Sequence, residues 1–148
     1  IAHILETVGF TVGMATTIDF KIGKKVWVNT LKQGMLGRWR MQELLYSMKD
    51  AGCTHAVIES TSEGLEQQRG WGIDYRAAVF TNLTPEHIEA HGSFEKYKHA
   101  KGILFEYAAR RPFGKKGASK DSLSVINADS PHAEYFLNAV SSPGPRLD

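Results

Sequence analysis

The stretch Thr54-His55-Ala56-Val57-Ile58-Glu59-Ser60-Thr61-Ser62-Glu63-Gly64 decides the fold. A short apolar run bounded by polar turn formers predicts a buried strand over 54–59. Ala77 to Thr81 and Leu123 to Asn127 read the same way. Helical patterns separate these runs. Met35, Leu36, Trp39, Leu44, Leu45 and Met48 make one apolar face, closed by Gly52. Ser62 to Arg69 suits a short helix. Ser93 caps a helix over 93–109 that carries Phe94, Tyr97, Ile103, Leu104 and Tyr107. Ser130 caps another over 131–140, with Pro131 at its first position. Upstream, Ile1, Ile4, Leu5 and Val8 fall at helical spacing, and Gly9 ends them. Thr11 to Ala15 reads as a strand. Thr17 to Ile22 and Val26 to Val28 flank Gly23-Lys24-Lys25, a hairpin signal. Apolar strands alternating with helices predict an α/β fold, a mostly parallel sheet flanked by helices.

Composition narrows the function. The 148 residues suit one domain, and 42% hydrophobic content supplies a core. We expect an ordered domain over 1–140 and a disordered tail over 141–148, which holds two prolines and a glycine. Lysine plus arginine number 18 against 16 acidic residues, a net charge of +2. That balance argues against a dedicated nucleic-acid binder. Cys53 is the single cysteine, which excludes an internal disulfide framework and a cysteine-rich zinc site. No apolar run reaches the roughly 18 residues of a membrane span. No signal pattern opens the chain, so the expected location is the cytoplasm. The helical pattern at Ile1 has no capping residue before it, so we expect further sequence upstream. The basic segment from Arg110 to Lys120 reads as a solvated loop.

In open parallel sheets, ligands bind beyond the carboxyl ends of the strands. The three runs end in Glu59-Ser60-Thr61, in Thr81-Asn82 followed by Glu86-His87, and in Asn127-Ala128-Asp129. All three are expected to open onto one crevice. A carboxylate at the rim of a buried strand is costly unless it is paired or binds a metal. Glu59 could therefore hold a divalent ion with His87, or simply pair with Arg69. His87 could equally be a hydrogen-bonded loop histidine. His87 and His91 are four apart, but Ile88 stands where a zincin needs glutamate. Neither Gly23-Lys24-Lys25 nor Gly114-Lys115-Lys116 has the spacing or the hydroxyl of a phosphate loop. Such a loop, if the fold uses a nucleotide, is expected just before Ile1.

The run Phe80-Thr81-Asn82-Leu83-Thr84-Pro85-Glu86-His87-Ile88-Glu89-Ala90-His91-Gly92-Ser93-Phe94-Glu95-Lys96-Tyr97-Lys98-His99-Ala100-Lys101 closely resembles the Mur ligase family. So do Glu59 to Arg69 and Ile126-Asn127-Ala128-Asp129. The nearest branch is the one that adds the third residue of the peptidoglycan stem peptide. The resemblance runs from Ile1 to about Val140. It implies the P-loop-like central domain of a three-domain enzyme, without its first strand and phosphate loop. Domains on either side, N-terminal and C-terminal, would be its partners in the same chain.

The resemblance also implies a reaction. It is ATP-dependent amide-bond formation between UDP-MurNAc-dipeptide and an amino acid, through an acyl phosphate, with Mg2+ neutralising phosphate charge. Glu59 and His87 match magnesium ligands, and Lys101 matches a lysine carried as a metal-bridging carbamate. These three would form the catalytic set. Thr61, Gln67 and Arg69 match positions that hold the UDP-linked substrate. Asn82 and Asn127 match positions near the nucleotide. Some positions depart from the family pattern. Thr61-Ser62-Glu63-Gly64 stands where Ser-Ser-His-Gly is common, Ser130 follows Asp129 where a second acid is common, and Gly34-Met35 falls at a substrate-binding threonine pair. The implied function is a peptidoglycan-precursor ligase that is inactive as this isolated segment. A folylpolyglutamate-synthetase-like ligase and a non-catalytic ligand-binding remnant are the alternatives.

Overall fold

Val12-Gly13-Met14-Ala15 places small and apolar residues between turn formers, and it becomes an interior strand. The computed structural model describes residues 1–31, 33–85, 88–109 and 122–141. The chain divides into two compact units, Ile1–Gly70 and Trp71–Asp148.

The first unit runs α1 (Ala2–Thr7), β1 (Val12–Ala15), β2 (Asp19–Ile22), β3 (Lys25–Val28), α2 (Arg38–Asp50), β4 (His55–Ile58) and α3 (Ser62–Glu66). Its sheet has the order β3-β2-β1-β4. The expected hairpin forms β2 and β3, with Ile22 opposite Lys25 across a two-residue Gly23-Lys24 turn. Gly23 has φ 57, at the position where a type II′ turn demands glycine. β1 lies antiparallel to β2 and parallel to β4, with Val12 opposite His55 and Ala15 opposite Ile58. The parallel pair needs a crossover, and α2 supplies it. A side chain on Gly13 would overlap the Met48 thioether, so this glycine lets α2 lie close on β1. Gly52 ends the α2 segment at φ 79.

Two expectations change here. Met35 and Leu36 are buried, but α2 begins after them at Arg38. Trp39 is 83% exposed, and Met41 takes its place in the core with Met48. Met41 and Met48 are seven apart and share a face, whereas Trp39 is turned about 200° from Met41. The strand at 54–59 is not covered on both faces either. His55 and Ala56, which point to opposite faces, are both exposed in β4, the last strand of its sheet.

The second unit runs β5 (Ala77–Phe80), α4 (Ile88–His91), α5 (Phe94–Ala109), β6 (Leu123–Ile126) and α6 (Ala133–Ser141). β5 and β6 pair in parallel, with Ala77 opposite Leu123 and Phe80 opposite Ile126. Ala78 and Phe80 are buried, while Ala77 and Val79 are exposed. A period of two therefore replaces the expected two-sided burial. The core gathers on Phe136, whose ring lies 4.0 Å from Phe80 and 5.3 Å from Phe105 between centroids. A Cβ on Gly102 would meet Tyr135 at 3.2 Å, so the missing side chain lets α5 and α6 approach. The Ser93 cap read from sequence is present, whereas α6 begins only at Ala133, so Pro131 precedes the helix and Ser130 closes a turn ahead of it. Ser93 Oγ accepts from the Lys96 N–H at 3.2 Å, and Ser130 Oγ from the His132 N–H at 3.3 Å. Ser141, read as tail, instead closes α6, its hydroxyl donating to Leu137 O at 3.1 Å. The basic loop and the rest of the tail lie outside the described residues. Among the described residues, no helix is long and apolar enough to cross a membrane.

Candidate functional site

The carboxyl ends of the parallel strands β1 and β4 place the first set of residues. The Glu59 N–H donates to Ala15 O at 2.8 Å and extends the ladder by one residue. The Glu59 side chain is exposed beyond it, and Oε2 accepts from the Thr17 N–H at 2.7 Å. No described residue donates to Oε1. The pairing with Arg69 left open by the sequence does not occur, since Arg69 is engaged elsewhere.

Thr61 begins α3. Its Oγ1 accepts from the Gly64 N–H at 3.2 Å, the usual bond of an N-cap threonine. Arg69 follows the helix and is half-buried. Its Nε and Nη2 donate to Gln67 Oε1 at 2.9 and 2.6 Å, and its Nη1 donates to Met35 O at 2.7 Å. Thr61, Gln67 and Arg69, singled out separately in the sequence, thus share one short helix and the turn after it.

The loop before α2 packs on that helix. A Cβ on Gly34 would overlap Thr61 Cγ2 and lie 3.1 Å from Thr17 Oγ1. A Cβ on Gly64 would lie 2.8 Å from Met35 Sδ and 2.9 Å from Thr61 Oγ1. Buried Asn29 anchors the loop. Its Nδ2 donates to Thr16 O and Gln33 O at 2.9 and 3.0 Å, and its Oδ1 accepts from the Leu31 N–H at 3.1 Å. Sequence reading passed over Asn29, although an asparagine just after a strand is a turn signal. Thr17 acts through its backbone, which leaves no side-chain signal.

In the second unit, Asn127 follows β6, and its Nδ2 donates to Thr81 O at 2.9 Å. Its Oδ1 accepts from the Asp129 N–H at 3.1 Å, so the side chain ties two strand ends and closes a turn. Asn82 is exposed, its Oδ1 accepting from the Leu83 N–H at 2.8 Å. Lys101 is half-buried on α5, with Nζ 5.1 Å from the centre of the Tyr97 ring. His87 and Glu86 lie outside the described residues. The proposed metal set therefore divides: Glu59 belongs to the first unit and Lys101 to the second.

Among the described residues, no group of three or more His, Cys, Asp or Glu side chains could hold a metal by itself. Magnesium does not require one. It is commonly held by one or two carboxylates, with water and phosphate oxygens completing the octahedron. Glu59 Oε1, a hard oxygen at a strand end, fits that demand.

The model for the Mur ligase middle domain matches residues 1–147. The chain belongs to the Mur ligase family. This middle domain is similar to the UDP-N-acetylmuramyl-tripeptide synthetase of Roseiflexus sp. (strain RS-1), with 39% identity over 145 residues. It is also similar to the UDP-N-acetylmuramoyl-L-alanyl-D-glutamate--2,6-diaminopimelate ligase of Geobacillus thermodenitrificans (strain NG80-2), with 34% identity over 152 residues. These matches take in 97% and 95% of the chain, which spans 28% of either relative. A solved UDP-N-acetylmuramoyl-L-alanyl-D-glutamate--2,6-diaminopimelate ligase superposes with a TM-score of 0.77 at 28% identity, over 96% of this chain and 26% of that one. The middle domain is a mixed α/β fold, and the family expected from the Phe80–Lys101 run is the one found.

Proposed function

We propose that this Mur ligase middle domain serves an ATP-dependent ligase of peptidoglycan precursor synthesis, working in the cytoplasm. The ligase joins an amino acid to UDP-MurNAc-dipeptide as the third stem-peptide residue. The observation that carries the reading is the strand-end cluster of the first unit. There a carboxylate with one unengaged oxygen stands three residues before the helix that leads to Arg69. Anionic substrate and cation would each find a complementary group there. The names of the relatives support the same step.

Bound Mg2+ would supply neutralisation of the phosphate charge. Glu59 Oε1 would hold the ion, while the Thr17 N–H fixes the other oxygen and so the plane of the carboxylate. Arg69 would bind the UDP-linked substrate, because a guanidinium fork matches carboxylate and phosphate oxygens. Thr61 and Gln67 would border that anion, and Asn82 and Asn127 the nucleotide. His87 would be a second metal ligand. Lys101 would act as a carbamate: its neutral amine adds to carbon dioxide and releases a proton, turning a cation into an anion. No glycine–lysine pair of this chain has phosphate-loop spacing, so the phosphate cradle is assigned to other segments of the full-length ligase.

The test uses the full-length protein with UDP-MurNAc-L-Ala-D-Glu, ATP, Mg2+ and a panel of amino acids. ADP release and amide product should appear together and require all components. Glu59→Ala should lower turnover by about a hundredfold or more, at unchanged thermal stability. Folded protein that yields neither ADP nor amide with any amino acid would make the domain a non-catalytic binding module.

A further inference from the structure

Gln68 is the only non-glycine residue with a positive φ among the described residues, at 53°. It sits between two of the three side chains assigned to the substrate, Gln67 and Arg69. We infer that Gln68 is a positioning residue: its left-handed backbone, rather than its side chain, aims the Arg69 guanidinium at the anionic substrate. The inference rests on the reading of Arg69 as a substrate ligand.

The geometry begins at the end of α3. The Gln68 N–H donates to Leu65 O at 2.9 Å, and the Arg69 N–H reaches back to Gly64 O at 2.8 Å. That pair of bonds is the Schellman motif, and it requires a left-handed residue at the position Gln68 occupies. Glycine usually stands there, because a Cβ disfavours this conformation. Here the reversal turns the chain so that Arg69 folds back beside Gln67. Three guanidinium N–H groups are then fixed, two on Gln67 Oε1 and one on Met35 O. Of the five N–H groups an arginine carries, two remain, one on each terminal nitrogen. None of the described residues accepts from them. A pair of N–H groups on adjacent terminal nitrogens is suited to two oxygens of one carboxylate or phosphate.

The same helix carries Thr61 at its start. The Gly64 N–H is held by Thr61 Oγ1 and the Gly64 carbonyl by the Arg69 N–H. Both ends of the substrate-facing segment therefore lean on one residue, and the left-handed turn closes the connection.

The experiment measures steady-state kinetics of the full-length ligase with UDP-MurNAc-L-Ala-D-Glu and ATP varied in turn. Gln68→Gly and Gln68→Asn keep the left-handed turn and remove the side chain. Both should leave KM for the UDP-linked substrate within about twofold, because only backbone shape matters. Gln68→Val opposes the turn and should raise that KM about tenfold, with kcat and the KM for ATP little changed. In an Arg69→Ala background, Gln68→Val should add nothing further. A KM raised by Gln68→Gly as much as by Gln68→Val would assign the effect to the side chain and overturn the inference. So would a folded Gln68→Val protein with an unchanged KM. If the valine variant does not fold, the Gly and Asn variants decide by the same criterion. An Arg69→Ala protein with unchanged KM would instead overturn the substrate assignment, and the inference with it.

Discussion

Tyr135 is held protonated beyond its ordinary value of 10.0, first by burial and then by the charges of Glu106 and Glu95. The unfolded tyrosine ionises earlier than the folded one. Stability from the neutral ring is therefore complete below about pH 10 and is lost as pH rises through the folded value. Tyrosinate absorbance should show a late-titrating component that Tyr135→Phe reduces. The same variant should flatten the loss of unfolding free energy above that pH. At this scale the sequence was informative about residue type and silent about partners. Glu59 stood out because a carboxylate directly follows Ala56-Val57-Ile58. Its actual partner is a backbone N–H at Thr17, 42 residues away, and any residue but proline would offer the same group. Arg69 is singled out by the family resemblance, but the turn at Gln68 beside it has no side-chain signature.

At the scale of elements, a tight fit joins the Gly34 loop to the start of α3. Gly34→Ala should destabilise the protein by about 1–3 kcal/mol, since Thr61 Cγ2 already fills the space. Thr61→Ser deletes that methyl and keeps a cap of equal quality, so it should be nearly neutral. In the Thr61→Ser background the cost of Gly34→Ala should shrink, and chemical denaturation of the four proteins would measure the coupling. Element boundaries were largely legible, because local rules set them. Gly9, Gly23 and Gly52 all have positive φ at the breaks where the sequence put stops or turns. Ser93 caps as read, while Ser130 makes a turn before α6 instead. Pairing was less legible, because it joins distant segments. Nothing in the 54–59 run says that it becomes an edge strand beside β1, or that Ala77–Phe80 pairs with Leu123–Ile126. Trp39 misled for a different reason: a large apolar side chain counts toward a helical face even when its angle is wrong.

At the scale of the whole molecule, apolar content is divided between cores and exposed faces. Phe136 is fully buried among aromatic rings, whereas its neighbour Leu137 is 54% exposed. Phe136→Ala should cost about 3–5 kcal/mol, and Leu137→Ala less than about 1 kcal/mol, by thermal or chemical denaturation. The 42% hydrophobic content supplied both cores. The fit of Met48 beneath Gly13 has a consequence of another kind. Met48 is 2% exposed and its thioether fills the space over Gly13, so peroxide should convert it chiefly when α2 lifts from β1. Once oxidised, the helix could not reseat. Met48 is therefore a chemical record of opening: each sulfoxide at this position marks a molecule in which α2 has lifted at least once.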